Sequence, residues 1–224
     1  MTFSIAARCA DTGMFGVAVS SSSPAVAARC AYVRNGVGAA LSQNVTDPRL
    51  GDRILDLMAL GASAANAVKV VSETSPNIQY RQLLAVDGAG RAAVFSGSNA
   101  LGSVGEASGP NVASGGNLLA VDTIPRTIVE AFLASKGHLA DRLLAAMQAA
   151  VDAGGEAGPI HSAGMKLAGD VTWPIVDLRV DWTEGCPIRE LAHVWKVYAP
   201  QLDDYVTRAL DPSKAPSYGV PGNR

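Results

Sequence analysis

Thr2-Phe3-Ser4-Ile5-Ala6-Ala7-Arg8-Cys9, then Asp11-Thr12-Gly13, then Met14-Phe15-Gly16-Val17-Ala18-Val19, reads as an alternating strand, a tight polar turn and a returning strand. Gly13 supplies the positive φ that such a turn asks for. The small polar run at residues 20–23, closed by Pro24, is expected to leave the sheet as a loop near the end where the first strand begins. Everything downstream has to be stacked on this hairpin.

Residues 33–41, with Gly36 and Gly38, read as a third strand that delivers Ser42-Gln43-Asn44 to its end. Asp47-Pro48 then opens a helical layer, with Asp47 as N-cap, a first helix through residues 53–60 and a second over the alanine-rich 63–72. Strands at 78–86 and 91–95 flank Asp87-Gly88-Ala89-Gly90 as a second hairpin, followed by a Gly/Ser-rich loop and a short strand at 111–114 ending in Gly115-Gly116-Asn117. A second helical pair follows. Ile124, Ile128, Phe132 and Leu133 line the first of these helices, and Leu139, Leu143, Leu144, Met147 and Val151 the second, which stops at Gly154-Gly155. Closing strands are expected at 162–168 and 175–180, then a helix with Ile188, Leu191, Trp195 and Tyr198 on its inner face, interrupted by Pro200.

Strands and helices come in blocks instead of alternating, which argues against a doubly wound parallel sheet. Grouped antiparallel strands and paired helices stack as an α+β, four-layer αββα sandwich, two sheets between two helical layers. One domain is expected over residues 1–210, with a proline-rich tail over 211–224 that packs on a neighbouring subunit of a homodimer or larger homo-oligomer, Tyr218 being its large anchor.

Composition narrows the function. The 224 residues carry a net charge of −2 and 17% charged residues, leaving no basic footprint for nucleic acid. Three cysteines, Cys9, Cys30 and Cys186, form no CxxC pair, and the three histidines lack ligand spacing, so neither a metal nor another cofactor is expected. There is no signal-like start and no apolar run of about 18 residues, which predicts a soluble cytoplasmic protein away from membranes.

Thr2 directly after Met1 is the chemically suggestive feature. Removal of Met1 would leave a hydroxyl and an α-amine on one residue, nucleophile and base together, an arrangement suited to amide hydrolysis. Strand propensity alone also explains a threonine there. Gln43, Asn117 and Gly116 are candidate donors to an oxyanion, Ser42 and Ser20 with its neighbouring serines candidates to orient the amine, and Arg81 a candidate for a substrate carboxylate. Turn and strand-end roles are the ordinary alternatives for each. Cys9 is seven positions from Thr2 and therefore faces the other side of the strand, and adjacent His161 and Ser162 point to opposite faces and form no dyad.

The motifs Thr2-Phe3-Ser4-Ile5, Gly16-Val17-Ala18-Val19, Gly36-Val37-Gly38-Ala39, Tyr80-Arg81-Gln82, Phe95-Ser96-Gly97, Gly116-Asn117-Leu118 and Asp177-Leu178-Arg179-Val180, in this order, resemble a bacterial family numbered 1028 among domains of unknown function. That family looks like the N-terminal nucleophile (Ntn) hydrolases, and the opening hairpin is similar to that of proteasome-type β subunits. The resemblance implies the αββα fold and Thr2 as nucleophile toward small-molecule amides or short peptides. It departs at residues 155–162, where Glu156 and His161 replace the family's Asp and Gln, and no lysine precedes Lys69. A non-catalytic ligand-binding or oligomeric scaffold of the same fold is the competing expectation.

Overall fold

The structure is a computed structural model, and it describes residues 1–217. The chain runs β1 (Thr2–Arg8), β2 (Phe15–Ser21), α1 (Ala27–Cys30), β3 (Ala31–Arg34), β4 (Gly38–Asn44), α2 (Arg49–Ala59), α3 (Ala64–Thr74), β5 (Arg81–Asp87) and β6 (Ala92–Ser96). It continues with β7 (Gly105–Gly109), β8 (Val112–Asn117), α4 (Ile124–Ala134), α5 (Leu139–Asp152), β9 (Ser162–Ala168), β10 (Pro174–Val180), α6 (Pro187–Tyr198) and α7 (Leu202–Leu210). Six strands pair in the order β10-β9-β2-β1-β8-β7 and four in the order β3-β4-β5-β6, every neighbour antiparallel. Helices α2 and α3 cover one sheet, α4, α5 and α6 the other, and the sheets face each other. The protein is an αββα sandwich.

Strand alternation sorts the side chains of β1. Phe3, Ile5 and Ala7 enter the core under α4 and α5, whereas Ala6 joins Val17, Val19, Leu41, Leu84 and Ala113 between the sheets. Thr2 and Ser4 share the parity of Ala6 and so point into the intersheet space, and Cys9 lies with the helix-side core. Gly16 eases the close approach of α5 to β2, since a Cβ there would stand 2.7 Å from the end of the Leu143 side chain, which would have to shift.

Several element boundaries differ from the sequence expectation. The single strand expected at 33–41 is the hairpin β3–β4, because Gly36 adopts φ 68° and Val37 N–H returns to Arg34 O at 3.2 Å. Ser20 and Ser21 still belong to β2. Asp47 is not the N-cap of α2; Pro48 holds that position, and Asp47 instead accepts from Arg49 N at 3.1 Å. Strand β7, Gly-Glu-Ala-Ser-Gly without an apolar period, lies in the Gly/Ser-rich stretch that the sequence reads as a loop. Leu133 is half exposed, being one residue and 100° round the helix from buried Phe132. Beyond Pro200 the chain turns once and resumes as α7, since proline is tolerated at the start of a helical turn. Tyr218 and the later part of the expected tail lie outside the described residues. No helix among the described residues is long and apolar enough to cross a membrane.

Candidate functional site

Thr2 sits at the start of β1, flanked by the ends of two strands. Asn117 of β8 is its register partner, and on the other side Phe3 pairs with Ser20 of β2, which brings Ser21 beside Thr2. Thr2 is only 5% exposed. Its hydroxyl donates to the carbonyl oxygen of Met1 at 2.5 Å and lies 3.4 Å from Ser21 Oγ. Ser21 Oγ also donates to Met1 O and accepts from Ser23 N at 3.1 Å. A single carbonyl oxygen thus receives two hydroxyls.

Behind Thr2 the intersheet space is filled by amides. Ser4 Oγ donates to Gln43 Oε1 at 2.6 Å, and Gln43 Nε2 donates to Gln82 Oε1 at 2.7 Å and to Gly115 O at 3.2 Å. Gln82 Nε2 donates to Ser96 Oγ at 2.8 Å and Gly116 O at 3.1 Å, while Gln82 Oε1 also accepts from Asn117 Nδ2 at 3.3 Å. Gly115 permits this approach, since a Cβ there would already be 3.3 Å from the Gln82 amide. Asn117 Oδ1 is buried without a partner. The amide nitrogen of Asn117 carries two N–H groups, and its bond to Gln82 uses one.

Above Thr2 lies Glu156. Its residue bridges Leu119 just past β8, its Oε2 accepts from Ser22 N at 3.2 Å, and its Oε1 is buried and unpartnered. Burial pushes the Glu156 carboxyl up to about 8, and the α-ammonium of Met1 and the Ser22 hydrogen bond pull against that rise.

Of the residues singled out from sequence, Thr2, Asn117 and Gln43 come together, Gln43 one inward-facing step deeper than Thr2. Ser20, Ser42 and Arg81 do not join them. Ser20 has the opposite parity to Ser21 and donates to Ser162 O at 3.0 Å. Ser42 has the opposite parity to Gln43 and donates to Asp47 O at 2.9 Å. Arg81 bonds Val45 O on the outer side of β5, near Asp47. Gly116 turns its Cα toward Leu119, with a would-be Cβ contact of 2.6 Å, and offers the intersheet space its carbonyl. Ser4, Ser21, Gln82 and Glu156 complete the cluster. The parity of Ser4 was readable from the alternation of β1, whereas nothing in the sequence marks Glu156 as buried.

His161 and Ser162 go separate ways, His161 Nδ1 to Thr183 O at 2.8 Å and Ser162 Oγ to Ser23 O at 2.6 Å. Asp177 pairs with Lys166 at 3.3 Å, and Arg179 lies 3.9 Å from Asp181. A cleft of about 610 Å³ opens at the other end of the sandwich, near Arg8, Thr12, Asn35 and Asp170. None of its lining residues carries a buried unpartnered side-chain atom, whereas the Thr2 end has two, Asn117 Oδ1 and Glu156 Oε1. Among the described residues no three His, Cys, Asp or Glu side chains cluster as metal ligands do.

An αββα sandwich whose first strand opens with a buried threonine between its sheets defines the structural class. Residues 2–191 match the family described as "Family of unknown function (DUF1028)", and the chain belongs to that family. Protein SPO2555 from Silicibacter pomeroyi, a crystal structure from the same family, is 30% identical over 88% of this chain and 89% of that one, with a TM-score of 0.82. Anbu, an ancestral beta-subunit from Yersinia bercovieri, is 13% identical over 92% of this chain and 97% of its own, with a TM-score of 0.38. No curated protein matches.

Two predictions follow from these contacts. Gln82→Leu strands Gln43, Asn117 and Gly116 O without their partner, at about 1–3 kcal/mol per buried group. Urea unfolding is expected to report a loss well above that of Ser96→Ala, which removes only one of these bonds. The second concerns Glu156. A carboxyl that titrates near 8 folded and near 4.5 unfolded binds more protons in the native state between those values, so it costs stability as pH rises through that window. Glu156→Gln removes the cost. The melting temperature of the variant relative to the parent is expected to climb from pH 5 to pH 8, and a flat difference would show an ordinary carboxyl.

Proposed function

We propose that the chain is an amide-bond hydrolase of small molecules or short peptides, with Thr2 as nucleophile once Met1 is removed. The observation that carries this reading is the Thr2 hydroxyl itself, buried between the sheets and directed at a carbonyl oxygen that a second hydroxyl, Ser21, also reaches. Solvent-facing strand-start threonines need no such surroundings.

The chemistry is acyl transfer. An α-amine with a pKa of about 7.7–8.0 is partly neutral near pH 7 and takes the Thr2 hydroxyl proton, directly or through one water. The Oγ1–carbonyl carbon bond forms, the amide C–N bond breaks, and the proton passes to the leaving amine. Water then hydrolyses the ester and restores the hydroxyl. In this reading Ser21 Oγ–H and the second N–H of Asn117 donate to the oxyanion, and each such donor is worth about 2.7–4 kcal/mol. The Gln43–Gln82 pair holds Asn117 from behind.

The second reading is a non-catalytic ligand-binding or scaffold protein of the same fold. Met1 favours it, because its carbonyl blocks the α-amine of Thr2 and occupies both hydroxyls. Intact mass of the protein from cells, read beside a screen of amides, ureido compounds and short peptides, separates the two. Turnover is expected to track the fraction of chains that begin at Thr2, and Thr2→Ala is expected to lower it by at least about 10³-fold with an unchanged melting temperature. Undiminished turnover in Thr2→Ala would remove the nucleophile, and uniform retention of Met1 with no turnover would favour the scaffold.

A further inference from the structure

Met1 fills the space in front of Thr2, and each of its three parts meets a different feature. Its carbonyl oxygen receives the hydroxyls of Thr2, at 2.5 Å, and Ser21. Its thioether tail runs over Gly158, where a Cβ would stand 3.2 Å from Cε and 3.6 Å from Sδ. Its α-ammonium lies within electrostatic reach of Glu156, whose Oε1 is buried and makes no hydrogen bond. Carbonyl, linear apolar tail and ammonium are the parts of an aminoacyl group. A carbonyl carbon attached to the nitrogen of a threonine and one attached to its hydroxyl occupy closely overlapping space, since the two attachment points are separated by only two carbon atoms.

We propose that the space Met1 fills is the acyl subsite of the hydrolase, and that it takes aminoacyl amides with a free α-amine and a linear apolar side chain. Glu156 reads the amine, and Gly158 admits the side chain. This inference rests on the hydrolase reading for its chemistry, though not for its binding. Charge agrees with it. Arg81, the cation expected to receive a substrate carboxylate, is committed to Val45 O on the far side of β5, so an acidic acyl group would meet Glu156 with no guanidinium to offset it. A buried carboxyl group with one satisfied and one unsatisfied oxygen is in turn completed by a donor, and an ammonium N–H supplies one together with an opposite charge.

The test uses the chain beginning at residue 2, released from a cleavable N-terminal fusion, with Thr2→Ala so that ligands are not consumed. L-methioninamide and N-acetyl-L-methioninamide are titrated into it calorimetrically. The free amine is expected to bind at least about tenfold more tightly, as a charge-assisted hydrogen bond to a buried group predicts. Glu156→Gln is expected to shrink that ratio toward one, and Gly158→Val to shift preference from methioninamide to glycinamide. Equal affinities in the parent, binding of neither ligand, or an equal weakening of both by Glu156→Gln would overturn the proposal, the last because the carboxyl would then serve the protein's own α-amine. The Gly158 comparison stands even if the Glu156 variant does not fold. Turnover by the Thr2 chain is scored separately. Amine-selective binding without turnover would keep the subsite and remove the hydrolase; turnover of N-acetylated amides without amine preference would do the reverse.

Discussion

The hydrogen bonds from Gln43 and Gln82 to β8 set the relation of the two sheets. These residues are register partners on β4 and β5, and from there both amides reach across the sandwich to the backbone carbonyls of Gly115 and Gly116 on β8. Apolar contacts between sheets are tolerant of sliding, because one methyl group serves nearly as well as another. A buried amide is not tolerant, since moving it by one residue leaves donors and acceptors unpaired at about 1–3 kcal/mol each. The amide pair therefore fixes which part of β8 lies over which part of β5, and with it the place of Asn117.

Thr2 inherits its position from that constraint. It is the register partner of Asn117, and β1 is pinned to the same network by the Ser4 hydroxyl on Gln43. The nucleophile candidate thus stands at one end of a polar seam that runs inward to the apolar Ala6, Val17, Leu41 and Leu84 cluster. An isolated hydroxyl on a strand end would be free to rotate. Here Met1 O, Ser21 and the neighbouring strand ends limit where it can point.

How much of this was legible in the sequence depends on periodicity. The two helical pairs and the hairpins stand out because apolar residues repeat at 3.6 or 2.0 positions, and the block order then leaves few ways to stack them. The same period of two placed Cys9 away from Thr2. It should also have separated Ser42 from Gln43, since consecutive strand residues cannot both face one cleft, and Ser42 indeed faces the helical layer with Ala40. Ser20 and Ser21 could not be separated in this way without knowing that β2 extends through them. Gln82 carries a weak signal, one amide in the run Gln82-Leu83-Leu84-Ala85-Val86 at the inward parity of Leu84. Glu156 carries none, because its burial depends on which loop closes over it.

That closure has a visible cost and a visible compensation. Leu118, immediately after Asn117, adopts φ 52°, a left-handed conformation that costs a side-chain-bearing residue roughly 1–2 kcal/mol. Its N–H is held by Leu101 O and its carbonyl by Ala157 N, each at 2.9 Å, and Ala120 N then bonds Gly155 O at 3.0 Å. Three backbone hydrogen bonds outweigh one unfavourable φ. The kink is what turns the chain from β8 sharply enough for residues 155–157 to lie alongside it, and so carries the Glu156 carboxyl to the Ser22 N–H at the exit of β2. With β1 running between β2 and β8, a carboxyl anchored to both of their exits has to lie over the first residues of β1. The strained Leu118 and the buried Glu156 are therefore one construction, and its effect is to place a single acidic group where the chain's own amine, or a substrate's, is found.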